Sequence, residues 1–150
     1  NLVKEILEKT NIYNCQIYCP LDVVVSQSLN GKGKVKKINE IEDDDIILDI
    51  GFETIAKIKN IIDNSNTVLW NGPAGYYENS NFANGTKEII KIITDKTFKD
   101  KIFSVAGGGE TVAVINKFNK LDSFTFVSTA GGAFLEFLEG KELPGIKALN

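Results

Sequence analysis

The stretch Lys101–Thr111, KIFSVAGGGET, decides how the rest of the chain is read. An apolar run of Ile, Phe, Val and Ala breaks into three glycines. Glu110 then opens a segment with Val112, Ile115 and Phe118 at helical spacing. Strand, glycines, helix is the order of an α/β sheet, and it recurs outward in both directions. The runs Gln16–Cys19, Asp22–Ser26, Ile46–Asp49, Thr67–Asn71 and Ser123–Ser128 read as further strands, several too uniformly apolar to have a wet face. Between and after them lie helical stripes: Ile55, Ile58, Ile61 and Ile62; Ile89, Ile90, Ile92 and Ile93; Phe134, Phe137 and Leu138. The expectation is an α/β fold: a three-layer, doubly wound, Rossmann-like, mainly parallel sheet with helices on both faces.

Size and composition narrow the chemistry. A chain of 150 residues has room for one domain, and 43% hydrophobic with 25% charged residues is the mix of an ordinary globular protein. The net charge of −3 gives no reason to expect nucleic acid or an anionic membrane as partner. No apolar run approaches the ~20 residues that span a bilayer, and no leader-like segment opens the chain, so a cytoplasmic location is expected. There is no histidine, and all 17 basic residues are lysines. Imidazole catalysis and a bidentate guanidinium clamp are therefore both excluded from this chain. Carboxylates, lysines, backbone amides or a bound metal must do whatever chemistry occurs.

Other segments carry less. Cys15 and Cys19, without histidine or further cysteine, do not make a zinc site and are expected as buried free thiols. Asn30–Asn39, NGKGKVKKIN, lacks aromatics for base stacking and reads as an exposed loop or edge hairpin. The acidic run Glu42–Asp45 reads as a solvated turn without a metal. Leu2, Val3, Ile6 and Leu7 repeat at helical spacing with no cap before them and no initiating Met. The opening reads as a helix entered partway along, and the chain as a fragment with an incomplete domain.

In α/β sheets ligands bind beyond the carboxyl ends of the strands. Four such ends carry glycine here: Asp49-Ile50-Gly51, Asn71-Gly72-Pro73-Ala74-Gly75, Gly107-Gly108-Gly109-Glu110-Thr111 and Ser128-Thr129-Ala130-Gly131-Gly132. All four are expected to line one rim. Glycines before a helix let a phosphate approach the free amides at its positive end, although a tight strand-to-helix turn would accept them too. Glu110 either stabilises the helix dipole or holds a magnesium ion bridging phosphates. Glu78 is either a solvated loop carboxylate or an acceptor for ribose hydroxyls. Neither a Walker A loop nor a dinucleotide G-x-G-x-x-G is present.

Val68-Leu69-Trp70-Asn71-Gly72-Pro73 with Gly75 and Glu78, the triple glycine of Ala106–Thr111, and Phe126–Leu143 (FVSTAGGAFLEFLEGKEL) ending in Pro144-Gly145 together resemble the phosphoglycerate kinases. The resemblance runs over essentially all of residues 1–150. It implies the C-terminal, nucleotide-binding domain of such an enzyme, lacking its own first part and the N-terminal domain that binds 3-phosphoglycerate. It also implies phosphoryl transfer between 1,3-bisphosphoglycerate and ADP, giving 3-phosphoglycerate and ATP in glycolysis, by an enzyme that is a monomer when complete. By resemblance Gly51 lies by the base, Asn71 near the phosphates and Glu78 at the ribose. Gly107, Gly108, Gly109 and Thr111 cradle the phosphates of ADP or ATP, with Gly109, Gly131 and Gly132 offering amides to the phosphoryl group in flight. Glu110 stands where the family usually has the aspartate that serves Mg2+. Ala130 replaces a third glycine, which is tolerable only if its φ stays negative. With the N-terminal domain and its transition-state arginine absent, no meaningful turnover is expected of this chain alone. The alternative is a remnant that keeps the fold without activity.

Overall fold

The computed structural model describes residues 2–99 and 101–149. In chain order the elements are α1 (Leu2–Ile12), β1 (Asp22–Ser26), β2 (Lys34–Lys37), β3 (Ile46–Ile50), α2 (Phe52–Asp63), β4 (Thr67–Asn71), α3 (Asn84–Phe98), β5 (Phe103–Gly107), α4 (Gly109–Lys117), β6 (Phe126–Val127), α5 (Gly132–Leu138) and α6 (Pro144–Lys147). Each isoleucine or valine stripe becomes a helix. The stripe on α3 is the most completely covered, with Ile89, Ile90, Ile92 and Ile93 all buried.

Strands β4, β5 and β6 form a parallel sheet in that order, with Thr67 opposite Phe103, Asn71 opposite Gly107 and Ala106 opposite Val127. The crossover helices α3 and α4 both pack against β5. Trp70 and Ala106 from the sheet meet Ile89, Ile90 and Ile93 of α3 and Val114 and Ile115 of α4 in one core. Removing a fully buried side chain there, such as Ile93, costs about 2–5 kcal/mol. The expected α/β class, with a parallel sheet flanked by helices, holds.

Strands β1 to β3 make a second sheet, antiparallel, in the order β2-β1-β3. Residues 27–33 joining β1 to β2 are too few for a parallel crossover, which needs a dozen or more, so the chain turns back on itself. Asn30–Asn39 is accordingly the edge hairpin of the sequence reading. Periodicity cannot tell β1 and β3 from parallel strands, because β1 is buried or half-buried along its whole length and β3 has an exposed first half and a buried second half, so neither alternates. Helix α3 joins the two sheets, touching β3 on one side and β5 on the other. On β2 the Lys36 ammonium is buried between Glu42 (2.5 Å) and Asp45 (2.6 Å), whose hydrogen bonds push its pKa up to about 12. A lysine thus partners two carboxylates of the acidic turn.

Two expected strands need correction. Gln16–Cys19 is irregular and exposed, because among the described residues no neighbouring strand takes up its backbone hydrogen bonds. Cys15 and Cys19 are free, as expected, but exposed rather than buried, and α1 buries none of its residues. The run Ser123–Ser128 shrinks to Phe126–Val127. Phe124 turns inward to stack on Trp70 at 6.2 Å, and Ser104 and Thr125 exchange side chain to backbone hydrogen bonds of 3.1 and 3.0 Å in place of a longer ladder.

Candidate functional site

Parallel strands deliver their carboxyl ends to the same side. Asn71 Nδ2 donates to the Gly107 carbonyl at 2.9 Å, and the Ser128 amide donates to the Ala106 carbonyl at 2.8 Å. The turns leaving β4, β5 and β6 are thereby neighbours on one rim. Gly108 has φ of 92°, a conformation side chains rarely adopt, and a Cβ there would sit 2.8 Å from Asn71 Nδ2. Gly109 begins α4, and a Cβ on it would meet nothing. No side chain caps this helix. The amides of its first turn have no intrahelical acceptor, so Gly109, Glu110 and Thr111 present donors at the positive end of the dipole.

The individual residues divide by role. Thr111 is buried, and its hydroxyl accepts from the Gly72 amide at 2.6 Å, leaving only its own amide for the rim. Gly107 is required for packing, since a Cβ would overlap the Phe134 ring of α5. Gly131 (φ 58°) and Gly132 open α5 with free space at both Cβ positions. The only non-glycine residues with positive φ among those described are Asn14 and Asn119, so the methyl of Ala130 carries no backbone strain.

Glu78 lies on the loop after β4. That loop is tied down along its length: the Ala74 amide donates to the buried Thr86 hydroxyl at 3.0 Å and the Tyr76 amide to the Leu48 carbonyl at 2.7 Å. The Lys117 ammonium of α4 donates to the Tyr77 carbonyl at 3.2 Å and lies 5.5 Å from the ring centre. Burial, then the carboxylates of Glu78 and Glu110, push the Tyr77 phenol's pKa up. Both carboxylates are exposed and bear on the same phenol. The rim thus combines amides that suit anionic oxygens with two carboxylates that suit a hard cation or hydroxyl groups.

Gly51 stands apart. Its amide donates to the Asp22 carbonyl at 2.9 Å, and among the described residues it makes no hydrogen bond to the rim. A Cβ on it would overlap the Asp22 carboxylate. That carboxylate, only 2% exposed, accepts from the amides of Glu53 (3.1 Å) and Thr54 (2.8 Å) and from the Thr54 hydroxyl (2.7 Å). Burial alone would raise its pKa, but the bonds from Thr54 and Glu53 outweigh it and the pKa is lowered. Asp22 therefore caps α2 from another strand. Asp49 does the same for α3, accepting from the Gly85 amide at 2.9 Å, though here burial dominates and the pKa is raised. Asp22, Asp49, Thr86 and Lys117 have no role in the sequence reading. A carboxylate inside an apolar strand was the available signal for the first two; nothing local marks the others.

The phosphoglycerate kinase family model matches residues 1–141. Phosphoglycerate kinase of Wolbachia pipientis from Culex pipiens is 45% identical over 99% of this chain, and that of Francisella tularensis subsp. novicida 46% over 97%. The chain spans 38% and 37% of the length of these curated relatives. Among solved structures, phosphoglycerate kinase from Coxiella burnetii superposes with a TM-score of 0.87 at 39% identity, over 98% of this chain and 38% of that one. The Pyrococcus horikoshii enzyme gives 0.79 at 34% identity, over 98% and 36%.

Proposed function

The chain belongs to the phosphoglycerate kinase family, and from that premise we propose that residues 1–150 are the C-terminal, nucleotide-binding part of such an enzyme. The reaction is phosphoryl transfer between 1,3-bisphosphoglycerate and ADP, giving 3-phosphoglycerate and ATP in glycolysis, in the cytoplasm. The observation that supports this best is the uncapped start of α4, with open space at Gly109, Glu110 exposed in its first turn, and Glu78 exposed on the loop that Lys117 of α4 holds at the Tyr77 carbonyl. Amides of Gly108, Gly109 and Thr111 bind the phosphates, Asn71 fixes their turn, and Glu78 accepts from the ribose. Gly131 and Gly132 add amides where charge develops on the transferred group. Positioning and charge stabilisation of this kind is most of what phosphoryl transfer asks of a protein.

Magnesium, when bound, neutralises phosphate charge, and Glu110 supplies a hard oxygen ligand of the type it prefers. Gly51 is proposed at the base on family resemblance, while its contacts also give it a packing role against Asp22. A separate domain binding 3-phosphoglycerate completes the reaction, since this chain spans 38% of a relative's length and holds no arginine. Alone it binds nucleotide without turning over.

Calorimetric titration with MgADP tests the reading. The unaltered chain gives a saturable isotherm, and the Glu78→Ala, Gly108→Val double variant loses at least about tenfold in affinity, as expected when charged hydrogen-bond partners are removed. Equal, non-saturating heats from both proteins would remove the assigned site.

A further inference from the structure

The loop that carries Tyr76, Tyr77 and Glu78 begins and ends at one buried carboxylate. Asp49, at 2% exposure, lies near the end of β3. Its Oδ2 accepts from the Gly85 amide at 2.9 Å at the start of α3, and its Oδ1 accepts from the Ile50 amide at 2.8 Å. A Cβ on Gly75 would overlap this carboxylate and come 2.5 Å from the Phe82 carbonyl oxygen; a Cβ on Gly85 would overlap the carboxylate too. Both glycines thus stand against the same group, one at each end of the segment 75–85.

Between them the segment has further ties, from Asn79 Nδ2 to the Leu29 carbonyl at 2.8 Å, from Asn81 Nδ2 to the Gly31 carbonyl at 3.3 Å and from Lys117 Nζ to the Tyr77 carbonyl at 3.2 Å, so Asp49 acts on its two ends. Tyr77 and Asn79 make turn hydrogen bonds to Gly75 and Tyr76, Asn79 accepts from Asn81, and Phe82 is wholly buried under the loop. Glu78 lies exposed on the outer side. With a buried carboxylate closing the base, the loop is a short bridge whose ends are fixed to β3 and α3.

We propose that Asp49 is a positioning residue: its carboxylate staples residues Gly75 and Gly85 together and so sets where Glu78 stands relative to the glycine turn of α4. The staple acts through geometry and does not touch a ligand. Its consequence for binding rests on the nucleotide reading of the rim; its consequence for loop order does not.

The experiment has two arms, both on the full 150-residue chain. Amide hydrogen exchange followed by mass spectrometry compares Asp49→Asn with the unaltered protein. Peptides covering 75–85 are expected to exchange at least about tenfold faster, one charged hydrogen bond's worth, while peptides covering β5 and α4 keep their protection. Gly75→Ala, which leaves Asp49 in place but crowds its carboxylate, is expected to give the same local pattern. Protection unchanged in 75–85, or lost uniformly over the chain in both variants, overturns the staple.

In the second arm MgADP affinities form a double-mutant cycle of Asp49→Asn with Glu78→Ala. Asp49→Asn weakens binding severalfold in the parent and much less once Glu78 is gone, because it acts through that side chain. Full additivity overturns the link to Glu78. If the unaltered chain binds no MgADP, the nucleotide reading fails with it, and the exchange arm alone decides the staple.

Discussion

Four helices of this chain follow strands, three through short turns and α3 after the loop 72–83, and their starts are of two kinds. Those of α2 and α3 are closed by buried carboxylates reaching from other strands, Asp22 on β1 and Asp49 on β3. Those of α4 and α5 have no side-chain cap, and glycines at their entrance face open space. A helix start leaves several amides without partners, so each must find an acceptor. Where the fold supplies a permanent anion, the helix end is structural. Where it supplies only glycine, the end stays open, and the proposed function puts an external anion there. That difference is what separates the antiparallel half of the molecule from the rim of the parallel sheet.

Removing a plug should have the largest effect. Asp22→Ala strips acceptors from the buried amide and hydroxyl of Thr54 and from the part-buried amide of Glu53, and is expected to lower unfolding stability by about 3 kcal/mol in urea titrations. The folded pKa of Asp22 lies below its ordinary 3.8, so its stabilisation is present above pH 3.8 and is lost as pH falls through the folded value. The stability gap between parent and Asp22→Ala should therefore close in acid. A gap that stays constant below pH 3.8 would mean that the carboxylate's charge contributes nothing.

Gly85→Ala is the next test. Alanine is the better helix former, yet its methyl would overlap the Asp49 carboxylate and the Ile50 side chain, and a loss of about 2 kcal/mol is expected. Unchanged stability would show that α3 is not tightly closed. The smallest effect belongs to the open side. Gly109→Ala has room for its methyl and no positive φ to strain, so stability should hold or rise by about 0.5 kcal/mol. MgADP affinity should nevertheless fall severalfold as the methyl enters the rim. A variant that loses stability, or one that binds as before, would erase the contrast between the two kinds of helix start.

The lesson extends to how much of the molecule was legible. The isoleucine stripe of α3 and the strand–glycine–helix order at Phe103–Lys117 were readable because burial repeats with the element's own period. Gln16–Cys19 misled for the same reason: apolar composition says a segment can be covered, not that a neighbour covers it. Antiparallel pairing of β1 with β3 was hidden, since β1 is buried or half-buried throughout and β3 leaves the apolar Ile46 and Ile47 exposed, so neither strand shows the alternation that would mark a one-sided sheet. Of the candidate site, Asn71, Gly108, Gly109 and Glu110 were found at the rim, whereas Gly107 and Gly51 turned out to have packing partners as well.

By itself the amino-acid sequence determined where the main helical stripes lie, that strands end in glycine, and that these 150 residues offer no imidazole or guanidinium. Only the tertiary structure decided what each glycine is for. Gly51 makes room for Asp22, Gly75 and Gly85 for Asp49, and Gly107 for Phe134, while Gly109, Gly131 and Gly132 face no protein atom at all. The missing side chain is the same in every case. Its reason lies in a partner far along the chain or in open space, and only folding brings either to the glycine.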